Sequence, residues 1–142
     1  MEKQRKKREE EKKRRADRAA KKKLGDAALK EGSRLLRTGD HIAAKAKFNE
    51  AIKSKTLRGN ALATARAGLG DVEYEMGNIS NSVREYKRSL ALVKRDADRW
   101  YRLARSYYKL KNKKDAKASA EKALKIKPNH TKAQKLLKRV TK

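Results

Sequence analysis

The feature that most constrains the fold of this chain is the spacing of its apolar side chains. After Gly25, apolar residues recur at intervals of three and four positions, the period of an α-helix, and no stretch alternates as a strand would. Short polar turns at 38–40, 77–78 and 111–113 separate these stretches, so neighbouring helices are expected to pack antiparallel. The pattern predicts an all-α chain with helices near 26–37, 41–55, 60–76, 80–93, 97–110, 113–126 and 130–141.

Charge is unevenly distributed along the chain. Lysine and arginine number 43 against 17 acidic residues, which gives a net charge of +26. Residues 1–24 hold 13 basic and 5 acidic side chains, residues 25–96 hold 14 and 9, and residues 97–142 hold 16 and 3. Repulsion among these cations opposes compactness, so packing and helix propensity must stabilise the fold. The two basic ends are candidates for contact with anionic partners.

Residues 1–24 form a charged arm with too few apolar side chains to bury a face. The glutamates at 9–11 each precede a cation by four positions, an order that favours a solvated helix. We therefore expect a basic arm that is helical or disordered. It could bind nucleic acid or an anionic lipid surface through Arg14, Arg15 and Arg18, or it could be a solvated tail or a linker.

Several classes of function are excluded by what the chain lacks. It contains no cysteine, which rules out disulfides, thiolate metal sites and cysteine nucleophiles. Its longest apolar stretch, Leu90 to Val93, is far shorter than the roughly 20 residues of a membrane-spanning helix. No apolar segment follows the basic N-terminus as in a secretory signal peptide, so a cytoplasmic location is the default expectation.

Catalysis is not expected either. The two histidines, His41 and His130, stand at positions typical of exposed turns, where metal binding or base catalysis is improbable on general grounds. The segment Gly68-Leu69-Gly70 lies in a predicted helix and lacks the lysine of a phosphate-binding loop. The sequence therefore predicts a non-enzymatic protein with no cofactor and no bound metal.

The last helical hairpin carries a set of small and bulky residues at fixed spacing: Trp100, Leu103, Ala104, Tyr107, Ala116, Ala120, Ala123 and Pro128. This set resembles the tetratricopeptide repeat, a helical hairpin that recurs about every 34 residues. Two weaker copies lie upstream, one containing Gly70 and Tyr86 and the other Gly32 and Phe48. The aromatic residues of all three copies, Phe48, Tyr86, Trp100 and Tyr107, are expected in the core.

The resemblance implies a right-handed α-solenoid over residues 25–142, with three antiparallel hairpins at about 25–58, 63–96 and 97–130 and a capping helix at about 130–141. An apolar stripe on the last helix would cover the final hairpin; it consists of Ala133, Leu136, Leu137 and Val140. The other side of this helix is basic and offers further polyanion contacts at Lys132, Lys135, Lys138 and Arg139. The first hairpin has no preceding repeat, so homo-oligomers could form through that end.

In this family, the first helices of the hairpins line a concave groove that takes a peptide or helix of a partner. The resemblance places candidate groove residues at Ser33, Asp71, Tyr74, Tyr101, Arg102, Arg105 and Tyr108. Tyrosine and arginine are enriched at interaction hot spots. Tyr101 and Tyr108 could equally extend the packing between repeats.

Two functions from different classes follow. The first is a scaffold that binds a peptide or helix of a protein partner, which the basic groove suggests is acidic. The second is a polyanion-binding module for RNA, DNA, the ribosome or an anionic membrane surface, using the arm and the basic C-terminal third. Chaperone-binding members of the family hold a partner's terminal carboxylate with Lys, Asn and Arg. Here Leu29 and Ser33 stand where the first Lys and Asn would be, and Ala67 and Asp71 do not replace them. Only Arg102 resembles a surviving basic residue of the clamp, so that mechanism is disfavoured.

Overall fold

The computed structural model describes all 142 residues and contains seven α-helices and no strands. These are α1 (Glu2–Thr38), α2 (His41–Lys53), α3 (Gly59–Glu75), α4 (Ile79–Leu92), α5 (Ala97–Lys109), α6 (Lys113–Ile126) and α7 (Thr131–Val140). The all-α prediction is confirmed, and every helix end lies within two residues of its predicted position except the start of α1. No helix combines the length and apolarity needed to cross a membrane.

Consecutive helices pair into three hairpins, α1 with α2, α3 with α4 and α5 with α6. The hairpins stack in chain order, because α2 packs on α3, α4 on α5, and α6 on α7. The first helices also meet, α1 against α3, and α5 meets α7. The predicted solenoid of three hairpins and a capping helix is therefore confirmed.

The three hairpin turns share one hydrogen-bonding pattern. A backbone N–H donates to the carbonyl five residues earlier in each turn: Asp40 to Leu35 at 3.0 Å, Asn78 to Glu73 at 2.8 Å, and Asn112 to Tyr107 at 2.9 Å. The residue before each donor has positive φ: Gly39 (86°), Gly77 (84°) and Lys111 (62°). Glycine adopts this conformation without steric cost, whereas lysine does not. The third turn thus places a strained lysine where the other two place glycine.

A small residue on the first helix faces a partner 16 positions later on the second. The pairs are Gly32 with Phe48, Gly70 with Tyr86, and Ala104 with Ala120. A Cβ atom built on Gly32 would lie 2.9 Å from Phe48 Cδ1, and one on Gly70 would lie 2.5 Å from Tyr86 Cε1. Large rings therefore meet glycine in the first two hairpins, whereas the third has alanine at both positions, within one buried cluster.

The aromatic residues predicted as core divide into two groups. Phe48 and Tyr86 are buried, at 1% and 0% exposure. Trp100 and Tyr107 are only half-buried, but both pack against the buried cluster of Tyr86, Leu90 and Leu103 at the edge of the core. The Trp100 indole N–H donates to the Lys94 carbonyl at 2.8 Å, which holds the ring at the edge of an outer cleft of 470 Å³ between α4, α5 and α6.

The arm is a continuation of α1, which runs without a break through Gly25. Gly25 is the first buried residue, and a Cβ there would lie 2.5 Å from Thr56 Oγ1. Every residue before it is exposed, including Leu24 at 66%. Of the two predicted states of the arm, helical or disordered, the structure shows the helix, and no side chain of the arm is buried against the repeats. Oligomerisation through this end stays a prediction.

Two buried glutamates are held by cations on neighbouring helices. Glu73 of α3 lies 2.7 Å from the Lys45 ammonium of α2 and accepts hydrogen bonds from Asn78 and Asn81. Glu85 of α4 lies 3.2 Å from Arg66 of α3. Burial alone would raise the pKa of Glu73, but Lys45 and the two amides outweigh it and hold that pKa below its ordinary value.

Candidate partner-binding groove

Residues of α1, α3, α5 and α7 border a groove made of three recesses. The mixed recess (240 Å³) lies towards α1, the central recess (320 Å³) follows it, and the basic basin (730 Å³) lies against α7. Asp71 and Arg102 line both the mixed and the central recess, and Arg105 lines both the central recess and the basic basin. The recesses therefore form one continuous surface.

All seven predicted groove residues line this surface. Ser33, Asp71 and Arg102 border the mixed recess. Four border the basic basin: Tyr74, Tyr101, Arg105 and Tyr108. The structure brings these side chains together on one side of the stacked hairpins, although three helices contribute them. Their contact with a partner remains a proposal.

Asp71 joins three helices at the middle of the groove. The Tyr86 hydroxyl donates to its Oδ1 at 2.5 Å, and an Arg102 guanidinium nitrogen donates to its Oδ2 at 3.2 Å. Burial raises the pKa of Asp71 above its ordinary value, although Arg102 and the Tyr86 hydroxyl act in the opposite direction. Both oxygens of Asp71 are thus engaged inside the protein, and its role is to hold Arg102 in place.

The mixed recess contains three aspartates and two arginines, and its arginines are already paired. Arg99 lies 3.3 Å from Asp96, and Arg102 is held by Asp71. The third aspartate, Asp98, is 68% exposed and contacts His130. This end of the groove therefore offers no unpaired cation from its lining residues.

The basic basin differs sharply in charge. Its lining includes seven cations and no carboxylate: Arg105, Lys109, Lys111, Lys113, Lys132, Lys135 and Arg139. None of the seven forms a salt bridge within the chain. In a recess with so many like charges, an anionic ligand would relieve mutual repulsion as well as gain direct attraction.

Three tyrosines give the basic basin its flat apolar surfaces. The Arg105 guanidinium lies 3.8 Å from the centre of the Tyr74 ring, a cation–π contact that orients the arginine. The Nε atom of Arg105 is buried and has no hydrogen-bond acceptor. Tyr101 packs on His130 with ring centres 5.4 Å apart. Tyr101 and Tyr108 also pack against the Ala104 cluster, so they serve both the fold and the groove surface.

The residues predicted to contact polyanions lie in two separate places. Lys132, Lys135 and Arg139 of α7 line the basic basin, so the basic side of the capping helix belongs to the groove. Lys138 is exposed outside the basin lining. The arm carries Arg14, Arg15 and Arg18, all exposed, with Arg15 bonded to Glu11 at 2.8 Å.

His130 is buried, which corrects the expectation of an exposed turn position. Its Nδ1 accepts the Ala133 backbone N–H at 3.1 Å and caps α7. Nε2 therefore carries the hydrogen and donates to Asp98 at 2.6 Å, and this bond lowers the pKa of Asp98. The contact is not apparent from the sequence, because the two residues lie 32 positions apart with no periodic relation.

Sequence analysis also missed three basin lysines, Lys109, Lys111 and Lys113. They surround the turn between α5 and α6: Lys111 and Lys113 lie in the predicted turn, and Lys109 lies at the end of the predicted helix before it. The excess of cations after residue 97 was the sequence feature that could have pointed to them. Their convergence with α7 depends on how the last helix packs, which spacing alone does not determine.

Comparison with known proteins agrees with this architecture. Residues 97–130 match the model of the tetratricopeptide repeat family. No curated protein matches the chain in sequence.

Solved structures match over most of the chain. The TPR domain of Arabidopsis OM64 is 17% identical with a TM-score of 0.78, over 85% of this chain and 97% of that one. The first TPR of Spaghetti (RPAP3), bound to the HSP90 peptide SRMEEVD, is 13% identical with a TM-score of 0.76, over 84% and 91%. The Hsp90 co-chaperone Cns1 from Saccharomyces cerevisiae is 16% identical with a TM-score of 0.79, over 84% and 38%. At these identities the likeness establishes the fold.

Proposed function

Since the chain is a tetratricopeptide repeat protein, we propose that it is a non-enzymatic scaffold whose groove binds an acidic peptide or helix of a partner protein. The observation that carries the proposal is the basic basin, where seven cations without a carboxylate surround three tyrosines. Unpaired cations favour an anionic segment, and the tyrosine rings offer area for its apolar side chains. A recess of 730 Å³ has the volume of several side chains.

A solved relative supports an acidic ligand. The peptide bound to the RPAP3 domain has the sequence SRMEEVD, which contains two glutamates and one aspartate. Our chain lacks most of the family's clamp: Leu29 and Ser33 stand where its first Lys and Asn would be, and only Arg102 resembles one of its basic residues. Its cations lie further along, on α5, α6 and α7. We therefore propose a different acidic sequence as its ligand, bound nearer the C-terminal end of the groove.

Fluorescence anisotropy with a labelled peptide that carries a block of glutamates followed by serine and leucine tests the proposal. The triple substitution Lys132→Gln, Lys135→Gln and Arg139→Gln should weaken binding at least about tenfold, or about 1.4 kcal/mol. The matched control removes the same charge from the arm: Arg14→Gln, Arg15→Gln and Arg18→Gln. Equal loss in both variants would show that overall charge, and not the groove, governs binding.

The tyrosines provide a second test that leaves charge unchanged. Replacing Tyr101 and Tyr108 together with alanine should abolish peptide binding. Because both rings also pack on the Ala104 cluster, circular dichroism and urea unfolding must show that the variant remains folded. Removing residues 1–23 should leave binding intact. If the arm deletion abolishes binding and the tyrosine pair has no effect, the groove proposal is wrong.

The exposed arm helix favours a second candidate function, binding of a polyanion such as RNA. Every side chain of residues 1–24 is exposed, and 13 of them are basic. Phosphate contacts would make the affinity for a single-stranded RNA probe fall steeply with salt, by decades between about 50 and 200 mM for about 6 to 10 contacts. The arm triple substitution should reduce that slope. A weak salt dependence with no effect of the arm would reject this candidate.

A further inference from the structure

The two ends of the groove differ in the charge that they leave unpaired. In the mixed recess both arginines are bound to aspartates of the same recess, and Asp98 keeps one carboxylate oxygen free of any partner. In the basic basin seven cations have no acidic partner at all. An acidic residue is attracted to the basin, whereas over the mixed recess it would approach three carboxylates. Juxtaposed like charges disfavour binding strongly.

The junction between the two ends is a fixed structure. The Tyr86 hydroxyl and Arg102 both engage Asp71, so Arg102 cannot leave the carboxylate without leaving a buried charge unpaired. Arg105 is held on the other side of the junction by the Tyr74 ring. Arg102 and Arg105 are therefore fixed on the two sides of the junction, whereas the other six cations of the basin are exposed.

The turn between α5 and α6 adds an independent observation. Lys111 adopts φ 62°, a conformation that costs a lysine free energy and that the other two hairpin turns assign to Gly39 and Gly77. Its side chain lines the basic basin. Lys55, between α2 and α3, has the same backbone conformation (φ 57°) but does not line the basin, so what distinguishes Lys111 is the position of its side chain.

On the basis of the proposed function, we propose that the groove reads the charge order of its partner segment. The acidic block of the segment lies in the basic basin against α7, and a stretch without acidic residues lies over the mixed recess towards α1. The preferred partner is thus a protein segment whose carboxylates are clustered at one end. A segment with the same acidic residues spread evenly would place some of them over Asp96 and Asp98.

Two synthetic peptides of identical composition test this inference. In one, the glutamates form a block at one end, followed by serine and leucine; in the other, the same glutamates are evenly spaced. The block peptide should bind about tenfold more tightly. A photoreactive benzoylphenylalanine beside the glutamates should cross-link to 109–113 or 131–139, and one at the neutral end should cross-link to α1 or α3.

Two single substitutions sharpen the test. Lys111→Gly suits the turn backbone and should weaken the block peptide severalfold while raising the urea midpoint of unfolding. Asp98→Asn retains an acceptor for His130 and should improve binding of the evenly spaced peptide. The difference in affinity between the block peptide and the evenly spaced peptide should therefore become smaller. Circular dichroism can confirm that both variants are folded.

The outcomes separate the two proposals. If neither peptide binds, the proposed function is wrong and the inference falls with it. If both bind equally, or if the glutamates cross-link at both ends of the groove, the groove binds acidic segments without reading their charge order, and only the inference is overturned. Binding of a single-stranded RNA probe in place of either peptide would overturn both.

Discussion

His130 Nε2 lies 2.6 Å from Asp98 Oδ1, and this contact fastens the start of the capping helix to the start of α5. Since His130 also caps α7 through Nδ1, the substitution His130→Ala removes two interactions of a buried side chain. We expect a loss of about 2–3 kcal/mol in the free energy of unfolding, measured with urea. His130→Asn retains a capping oxygen and should lose less. A change below about 0.5 kcal/mol for the alanine variant would contradict this account.

The close contact between α3 and Phe48 predicts whether replacing Gly68 with alanine raises or lowers the stability of the fold. Alanine is normally preferred to glycine inside a helix by about 1 kcal/mol. At Gly68, however, a Cβ would overlap the tip of the Phe48 ring. Gly68→Ala should therefore destabilise the fold by about 1–3 kcal/mol in urea unfolding. Adding Phe48→Leu should recover part of that loss, and a stabilised Gly68→Ala variant would contradict the packing described here.

The strained lysine of the third hairpin turn predicts a stabilising substitution. Glycine at position 111 would remove the penalty of the left-handed conformation, which amounts to roughly 1 kcal/mol. We expect Lys111→Gly to raise the free energy of unfolding by about that amount. Lys109→Gly serves as the contrast, because it places glycine in the last turn of α5 and should destabilise the helix. An unchanged or lowered stability for Lys111→Gly would show that the lysine is not strained.

The lowered pKa of Glu73 predicts how stability depends on pH. Ionised Glu73 is held by Lys45, Asn78 and Asn81, so its contribution is present above about pH 4.3, the ordinary pKa of glutamate. The contribution is lost as pH falls through the lower pKa of the folded state. The free energy of unfolding of the wild type should exceed that of Glu73→Gln by roughly 1.5–3 kcal/mol at neutral pH, and this difference should become smaller in acid. Urea unfolding of both proteins from pH 7 to pH 3 measures this, and a constant difference would contradict it.

The isolation of the arm predicts that it contributes nothing to the stability of the repeats. No residue before Gly25 is buried. Deleting residues 1–23 should leave the urea midpoint unchanged, within about 0.5 kcal/mol in free energy. Limited proteolysis should give a resistant fragment beginning near Gly25. A substantial loss of stability would move the domain boundary into the arm.

Most of the fold follows from residue spacing that the sequence shows directly. The glycines and aromatics that recur at intervals near the repeat length identify which helices approach closely, and their pairing in the structure agrees. The arm was ambiguous for a physical reason. Its Glu-to-cation pairs stabilise a helix only weakly, and no apolar periodicity indicates whether that helix joins α1.

The groove was predictable in part. Tyr101, Arg105 and Tyr108 could be placed because the family resemblance indicates which side of a first helix faces the groove, and helix geometry determines which residues of α5 share that side. The contribution of α7 could not be placed in the same way, because it depends on the angle at which the last helix crosses its neighbours. The contact between His130 and Asp98, which contributes to that angle, joins residues with no periodic relation. The hydrogen bonds of Asp71 within the protein could not be predicted either, since its partner Tyr86 lies on another helix.

One consequence of the dual role of α7 concerns how ligand and stability are linked. A linear array of hairpins frays most readily from its ends, and here the last helix both covers the core through Leu136 and Val140 and supplies three basin cations. A ligand bound by those cations binds only when α7 is docked on the core, so ligand binding should stabilise the docked state of α7. The rate of amide hydrogen exchange in α7 should then fall in proportion to the fraction of protein that has ligand bound.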